Sequence, residues 1–160
     1  MSETSKHEAV IRKALESDVD AIYQIIQPFA VKQILLPRTR QEISSDIVTT
    51  WIIEKERKVV ATATLVPYEN KMYEIRALAV RETAQNQGFG AQIVDYIFKE
   101  IKKLKRGKFT VFALTYSPVF FQKLGMRIVE KNNFPQKIFD ACRMCPHLDD
   151  CSEIAVEITL

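Results

Sequence analysis

The residues best suited to chemistry lie between Glu74 and Ala91, in the stretch EIRALAVRETAQNQGFGA. Glu74 opens the apolar run as a carboxylate able to take a proton, directly or through a water. The alternative is that Glu74 is a solvated strand residue paired with Arg76 or Arg12. Arg76 sits inside IRALAV. Burying a lone guanidinium is very costly, so Arg76 must be ion-paired or face a cleft. Farther on, Gly88 and Gly90 stand where a helical pattern begins. A glycine inside a helix costs roughly 1 kcal/mol relative to alanine, so a pair at the entrance needs a reason. Either the backbone approaches a ligand there, with unpaired N–H groups and the positive dipole end turned to an anion such as a phosphate, or the glycines let the helix pack closely on a sheet. A dinucleotide fingerprint would need a third glycine and a phosphate loop a Gly-Lys-Ser/Thr; neither is present.

These residues must be positioned by the elements around them. Met72 to Val80 reads as a strand, Arg81 to Asn86 as a polar turn, and about Gln87 to Leu104 as a helix with Ile93, Val94, Ile97, Phe98 and Ile101 at helical spacing. Upstream, Ala9 to Ala14 reads as a first strand. Ser17 with Asp20 marks a helix start, and that helix, about Asp18 to Gln27, should stop near Pro28. Thr39 with Glu42 forms a second capping-box pattern ahead of a short helix from Arg40 to Asp46. Val48 to Lys55 and Val59 to Val66 are rich in β-branched residues and joined by Glu56-Arg57-Lys58, a hairpin pattern; Pro67 to Lys71 reads as the next turn. Downstream come a strand from Phe109 to Thr115, a helix from Pro118 to Leu124 with Ser117 as its cap, a strand from Met126 to Lys131, and a closing strand from Ile154 to Leu160.

Bulk properties narrow the class. The 160 residues suit a single domain, with residues 1–7 as a flexible tail. Hydrophobic residues at 47% and charged ones at 27% are ordinary for a globular protein, and a net charge of +3 argues neither for nor against nucleic acid. The basic run KKLKRGK at the end of the long helix complements the helix dipole and carries no interleaved aromatic residues, so it reads as a solvated face. No apolar run nears the roughly 18 residues of a membrane helix. MSETSKHEAV lacks the form of a signal peptide, and an odd count of 3 cysteines does not suit a closed disulfide framework. A cytoplasmic protein is expected, with no nucleic-acid or membrane partner; a homodimer is a permitted assembly.

The order strand, gap, Gln85-x-x-Gly88-x-Gly90, helix closely resembles the acetyl-CoA motif of the GNAT superfamily of N-acetyltransferases. The segment Val119 to Met126 is similar to that superfamily's second recurrent segment. The resemblance implies an α/β (α+β) fold: a mixed, mostly antiparallel sheet of about seven strands with helices on both faces. It implies acetyl-CoA as cosubstrate with no metal required. The pantetheine arm would pair with the strand edge at Leu78, Ala79 and Val80, and the pyrophosphate would lie on the amides of Gln85, Asn86, Gln87, Gly88, Phe89, Gly90 and Ala91.

The likeness narrows further. Leu36-Pro37-Arg38-Thr39, Val66-Pro67-Tyr68, Glu74 to Val80, Phe112 to Thr115 and Cys142-x-x-Cys145-Pro146 together look like the acetyltransferase domain of N-acetylglutamate synthases, in the short bacterial form without a kinase domain. That implies acetyl transfer to the α-amino group of glutamate, the entry to arginine synthesis. Glu74 matches by position the base of the superfamily's histone-acetylating branch. Arg38 and Arg76 are the candidate anchors for the carboxylates of glutamate, because the guanidinium fork suits a carboxylate. Backbone N–H groups near Leu78 to Val80 could take the oxyanion.

Two positions depart from the pattern. Phe121 stands where many members carry the tyrosine that protonates the thiolate; Tyr116, or water, would have to substitute. Tyr116 and Ser117 follow Thr115 where an arginine is usual, which bears on glutamate specificity. Ser117 is a candidate substrate contact, though its place as a helix cap is the favoured reading. Alternatives are another small amine or a protein N-terminus as acceptor, or a CoA-sensing module without turnover. In the tail, Cys142, Cys145, His147 and Cys151 are potential zinc ligands at a spacing shorter than a standard knuckle; cysteines packed near the closing strand are the preferred reading, with a redox-labile pair open to the two nearest.

Overall fold

A computed structural model of the protein describes residues 8–104, 107–135 and 153–160. In chain order these form β1 (Val10–Lys13), α1 (Val19–Val31), α2 (Arg40–Ser45), β2 (Thr50–Lys55), β3 (Lys58–Tyr68), β4 (Met72–Val80), α3 (Phe89–Lys103), β5 (Thr110–Thr115), α4 (Pro118–Gln122), β6 (Arg127–Val129) and β7 (Ile154–Thr159). The strands make one mixed, mostly antiparallel sheet of seven in the order β1-β2-β3-β4-β5-β7-β6, with β4 and β5 parallel. The chain groups into two compact units. The first comprises Met1–Thr64 and Ala77–Tyr96, the second Leu65–Arg76 and Ile97–Leu160.

In the first unit, β2 pairs antiparallel with β1 on one side and β3 on the other, running Val10↔Glu54 to Lys13↔Trp51 and Thr50↔Thr64 to Lys55↔Lys58. The β2–β3 link is tighter than the charged link suggests. Only Glu56 and Arg57 lie outside the strands, at φ of 51° and 63°. Left-handed geometry at both central residues matches the right-handed twist of the strands they join. Alternation then sorts the faces. Ile52 and Ala79 pack with Val19, Ile22, Ile25 and Ile26 of α1 and with Ile43 of α2. Trp51, on the other face of β2, meets Tyr96 of α3 edge-on, with ring centroids 5.2 Å apart. Burial on these two faces stabilises the unit by about 25 cal/mol per Å² of apolar area removed from water.

Three local expectations are corrected here. Ser17 does not cap α1: a 3-10 turn over Glu16–Asp18 precedes it, and the Asp18 carboxylate accepts from Leu15 N–H at 2.7 Å. Pro28 does not stop α1, which runs on to Val31. A proline removes one helix hydrogen bond, and the continuing helix keeps Phe29 packed against the core of this unit. Residues Ile47–Thr49 form a 3-10 turn, so β2 begins at Thr50, where the strand becomes fully buried. The Thr39–Glu42 box is formed on both sides, at 3.1 and 2.8 Å.

In the second unit, β7 pairs with β5 from Thr110↔Thr159 to Thr115↔Ile154 and with β6 from Arg127↔Glu157 to Val129↔Ala155. The β4–β5 ladder runs Met72↔Thr110, Tyr73↔Val111 and Glu74↔Phe112, and goes no farther. Phe112, Phe134 and Ala155 form a small apolar cluster, with Tyr68, Met72, Leu114 and Val129 packed on it. α4 is shorter than the sequence pattern suggested and closes in a Schellman arrangement. Met126 N–H reaches Phe121 O, Gly125 N–H reaches Gln122 O, and Gly125 takes a φ of 89°. The strand expected from Met126 is confined to Arg127–Val129.

β3 also runs farther than expected. Pro67 and Tyr68 belong to the strand rather than to a turn; the φ that proline fixes lies within the extended range, and Pro67 is exposed near the strand end. No helix among the described residues is long and apolar enough to cross a membrane.

Candidate active site

Alternation in β4 puts Met72, Glu74 and Arg76 on one face. Tyr68, at the end of β3, packs with Met72 on the Phe112 cluster, its ring centroid 5.8 Å from that of Phe112. The result is a closed polar triangle set against apolar rings. Arg76 Nε donates to Glu74 Oε2 at 2.7 Å, the Tyr68 hydroxyl donates to the same oxygen at 2.7 Å, and Arg76 Nη2 donates to the Tyr68 hydroxyl at 2.6 Å. Among the described residues no hydrogen bond reaches Glu74 Oε1 or Arg76 Nη1.

The picture of Glu74 as a solvated strand end is thereby overturned. Glu74 is 5% exposed, and Arg12 is engaged elsewhere, with Asp18 and Glu54. The pairing of Glu74 with Arg76 does form. Burial pushes the Glu74 carboxyl above its ordinary value, and the nearby Glu153 adds to this; the Arg76 charge and the hydrogen bonds from Tyr68 and Arg76 pull the other way without cancelling it. A carboxylate that is partly desolvated yet held by a cation is a competent base nearer neutral pH than a solvated one. Arg76 keeps about a third of its side chain accessible, at 30%.

The glycine motif belongs to the first unit. β4 ends at Val80, a 3-10 turn spans Glu82–Ala84, and α3 begins at Phe89 rather than Gln87. Asn86 and Gly88 take φ of 63° and 84°. For Gly88 this backbone geometry is the requirement, since an added Cβ would meet nothing closer than Gln92 Nε2 at 3.7 Å. Gln85 to Gly88 are exposed, and Phe89 is buried beneath them. Ala84 N–H reaches Arg81 O and Gln92 N–H reaches Gly88 O, while Gln85 to Ala91 donate no turn or loop hydrogen bond among the described residues. The loop therefore presents a run of backbone donors at the positive end of a 15-residue helix. Gln85 Nε2 closes the strand end on Val80 O at 3.3 Å. Lys55 Nζ stands 3.3 Å from Gln87 Oε1, a cation that sequence reading did not single out.

Within β4, Ala79 is buried and Leu78 and Val80 are half-buried. Ala77 adopts a φ of 50°, uncommon for a residue with a Cβ, and this kinks the strand just before them.

The other expected site residues are placed separately. Arg38, also in the first unit, ion-pairs with Asp46 and donates to Glu42 O at 3.4 Å. Ser117 stands at the N-cap of α4 but its side chain makes no capping bond, so the favoured structural reading fails; its N–H donates to Thr115 Oγ1 at 2.8 Å. Tyr116 is exposed in the bend after β5, whereas Phe121 is buried. No group of three or more His, Cys, Asp or Glu among the described residues is placed to hold a metal; Cys142, Cys145, His147 and Cys151 lie outside the described residues. Tyr68 went unassigned in the sequence because Pro67 led the segment to be read as a turn. The signal was a tyrosine that a continuing strand would return toward the acidic and basic pair of β4.

Comparison with known proteins now bears on this geometry. Residues 46–127 match the acetyltransferase (GNAT) domain model. The chain is 34% identical over 150 residues to an uncharacterised N-acetyltransferase of Chlorobaculum tepidum, covering 94% of this chain and 96% of that protein. It is 31% identical over 143 residues to the amino-acid acetyltransferase of Mycobacterium tuberculosis, covering 88% of this chain and 79% of the relative. Several other amino-acid acetyltransferases are longer, and the chain spans no more than 30% of their length. The fold is also similar to that of N-acetylglutamate synthase from Neisseria gonorrhoeae complexed with coenzyme A and N-acetyl-glutamate. The TM-score is 0.83 at 22% identity, covering 96% of this chain and 35% of that one.

Proposed function

The chain belongs to the GNAT acetyltransferases, and from that premise we propose that it moves the acetyl group of acetyl-CoA onto the α-amino group of an amino acid, glutamate foremost. N-acetyltransfer with acetyl-CoA is the activity of the family; the acceptor and the residue roles are the proposal. The observation that supports it is the 2.7 Å pair of buried Glu74 and half-buried Arg76, a carboxylate suited to accept a proton beside a guanidinium suited to receive a carboxylate.

The amine must lose its proton before it has a lone pair with which to attack. Glu74 takes that proton. The amine nitrogen then bonds to the thioester carbon, and the carbonyl oxygen becomes an oxyanion, for which backbone N–H groups from Leu78 to Val80 serve as donors in this reading. The nitrogen releases its second proton to water as collapse restores the carbonyl and breaks the C–S bond. The leaving thiolate takes a proton from Tyr116, whose exposed side chain carries a hydroxyl where Phe121 has none; exchange with solvent then reprotonates Tyr116 and deprotonates Glu74. The amides of Gln85 to Ala91 hold the pyrophosphate. Arg76, with Arg38 as the second candidate and Ser117 as a neutral partner, receives the carboxylates of the acceptor. A glutamate acceptor would place the reaction in arginine synthesis, a cytoplasmic pathway.

Support for an acidic acceptor is the guanidinium itself: a polyamine would call for carboxylates with no cation among them. The test is thiol release from acetyl-CoA with a panel of amines. Saturable release with glutamate, above other amino acids, supports the reading. Release with polyamines or peptide N-termini and none with glutamate overturns the acceptor and leaves the family activity in place.

A further inference from the structure

Glu74 and Arg76 each commit one part to the triangle they form with Tyr68 and leave another without a hydrogen bond among the described residues. The Nε and Nη2 of Arg76 form one edge of the guanidinium, and both are directed inward, to Glu74 Oε2 at 2.7 Å and to the Tyr68 hydroxyl at 2.6 Å. Oε2 of Glu74 holds two donors, Arg76 Nε and Tyr68. What remains is Glu74 Oε1, and the Nη1 end of Arg76 on a side chain that is 30% exposed. We infer that Tyr68 is a positioning residue for acetyl transfer: its hydroxyl bridges Arg76 Nη2 and Glu74 Oε2, and so reserves Glu74 Oε1 for the amine proton and the Nη1 edge of Arg76 for the acceptor's carboxylate.

A phenol suits this task because it donates and accepts at once. A carboxylate in its place would add a charge, and an aliphatic side chain would leave Oε2 with one donor and let the guanidinium rotate about its last bonds. The ring is held independently of the hydroxyl, since it packs on Phe112, itself stacked on Phe134 at 4.6 Å. Tyr68 touches neither reacting atom in this account; it acts through its two neighbours. Among the described residues, the charged and titratable groups that act on Glu74 are Arg76 on its own strand, Tyr68 from β3 and Glu153 just before β7, while its partner across the β4–β5 ladder, Phe112, carries no charge.

The inference rests on Glu74 being the base, and the experiment separates the two. Tyr68→Phe keeps the ring and removes the hydroxyl. Ionised Glu74 then loses a donor, so the acid limb of kcat/KM for the acceptor moves to higher pH by about half a unit to one unit, and activity below the limb falls roughly three- to tenfold. KM for the acceptor rises as Arg76 loosens, KM for acetyl-CoA stays, and the melting temperature, measured alongside, stays near that of the parent. A limb that coincides with the parent's overturns the inference, whether or not stability has changed, because a merely structural tyrosine would lower the melting temperature without moving the profile. Glu74→Gln is run beside it. If that variant loses transfer while the Tyr68→Phe limb stays in place, only the role of Tyr68 fails; if Glu74→Gln retains transfer, the base assignment fails and the role of Tyr68 falls with it.

Discussion

Arg76 Nε and Glu74 Oε2 lie 2.7 Å apart on one face of the same strand, and the carboxylate is buried while the guanidinium remains partly accessible. The asymmetry has a direction. The pair is shielded at the carboxylate and open at the guanidinium, so an incoming anion meets the cation, and a proton delivered to the carboxylate enters a desolvated group. A structural ion pair and a substrate anchor are therefore not exclusive for Arg76.

Glu74 should set the acid limb of the reaction. Its folded value is raised above 4.5 by burial first, so the ionised, proton-accepting form appears only as pH rises through that raised value, and kcat/KM should climb there rather than near the ordinary carboxylate value. The same shift makes the folded state hold its proton more tightly than the unfolded chain, so this group's contribution to stability falls as pH rises through the same window. Glu74→Gln should lower kcat by about a hundredfold or more and abolish that limb; an unchanged limb in the variant refutes the role.

Arg76→Gln should raise KM for an acidic acceptor by about tenfold or more while KM for acetyl-CoA holds, since a charge-assisted hydrogen bond to a carboxylate is worth roughly 1.5–3 kcal/mol. Steady-state kinetics with each substrate varied in turn decides it. An unchanged acceptor KM removes Arg76 from the binding site.

Gly88→Ala places a Cβ on a backbone held at a φ of 84°. It should cost about 1 kcal/mol of stability through the left-handed strain alone, because the added Cβ makes only an ordinary 3.7 Å contact with Gln92 Nε2. Where the loop shifts to relieve that strain its amides shift too, so KM for acetyl-CoA should rise and KM for the acceptor should not. Thermal melts with and without acetyl-CoA read both effects.

Asp18 gives a stability prediction independent of the proposed chemistry. Burial disfavours its charge, but the Arg12 hydrogen bonds at 2.7 and 3.1 Å, Leu15 N–H and the Arg12 charge outweigh that and hold its carboxyl below 3.8. Its contribution is therefore present above the ordinary value and is lost as pH falls through the lowered one. Asp18→Asn should destabilise the protein by about 1–3 kcal/mol at neutral pH, and the gap to the parent should narrow in melts taken at progressively lower pH below the ordinary carboxylate range. A gap independent of pH would mean that packing, not the ion pair, is what the substitution removes.

The sequence by itself determined what local rules control. Strand, turn, glycines and helix from Met72 onward were legible because each is set by short-range preferences: β-branched runs, a pair of glycines at a helix entrance, and a Thr39–Glu42 box that caps its own first turn. The same rules failed where packing outweighed them. Pro28 was read as a stop, yet α1 continues past it because Phe29 still has a core to enter. Pro67 was read as a turn, yet the strand continues through Tyr68. Ser17 and Ser117 had the residue type of caps but not the geometry.

For the candidate site, the sequence could name Glu74 and Arg76 but left both open between solvent, ion pair and cleft. Only the tertiary structure decided that Glu74 is buried, that Arg76 spends one edge on it, and that Tyr68 completes the triangle from the neighbouring strand. The reason is physical. Local conformation follows from neighbours along the chain, whereas desolvation, and with it the proton affinity of a carboxylate, follows from what the folded chain brings around it: here strand β5, with Phe112 in register with Glu74, and a hydroxyl delivered from β3.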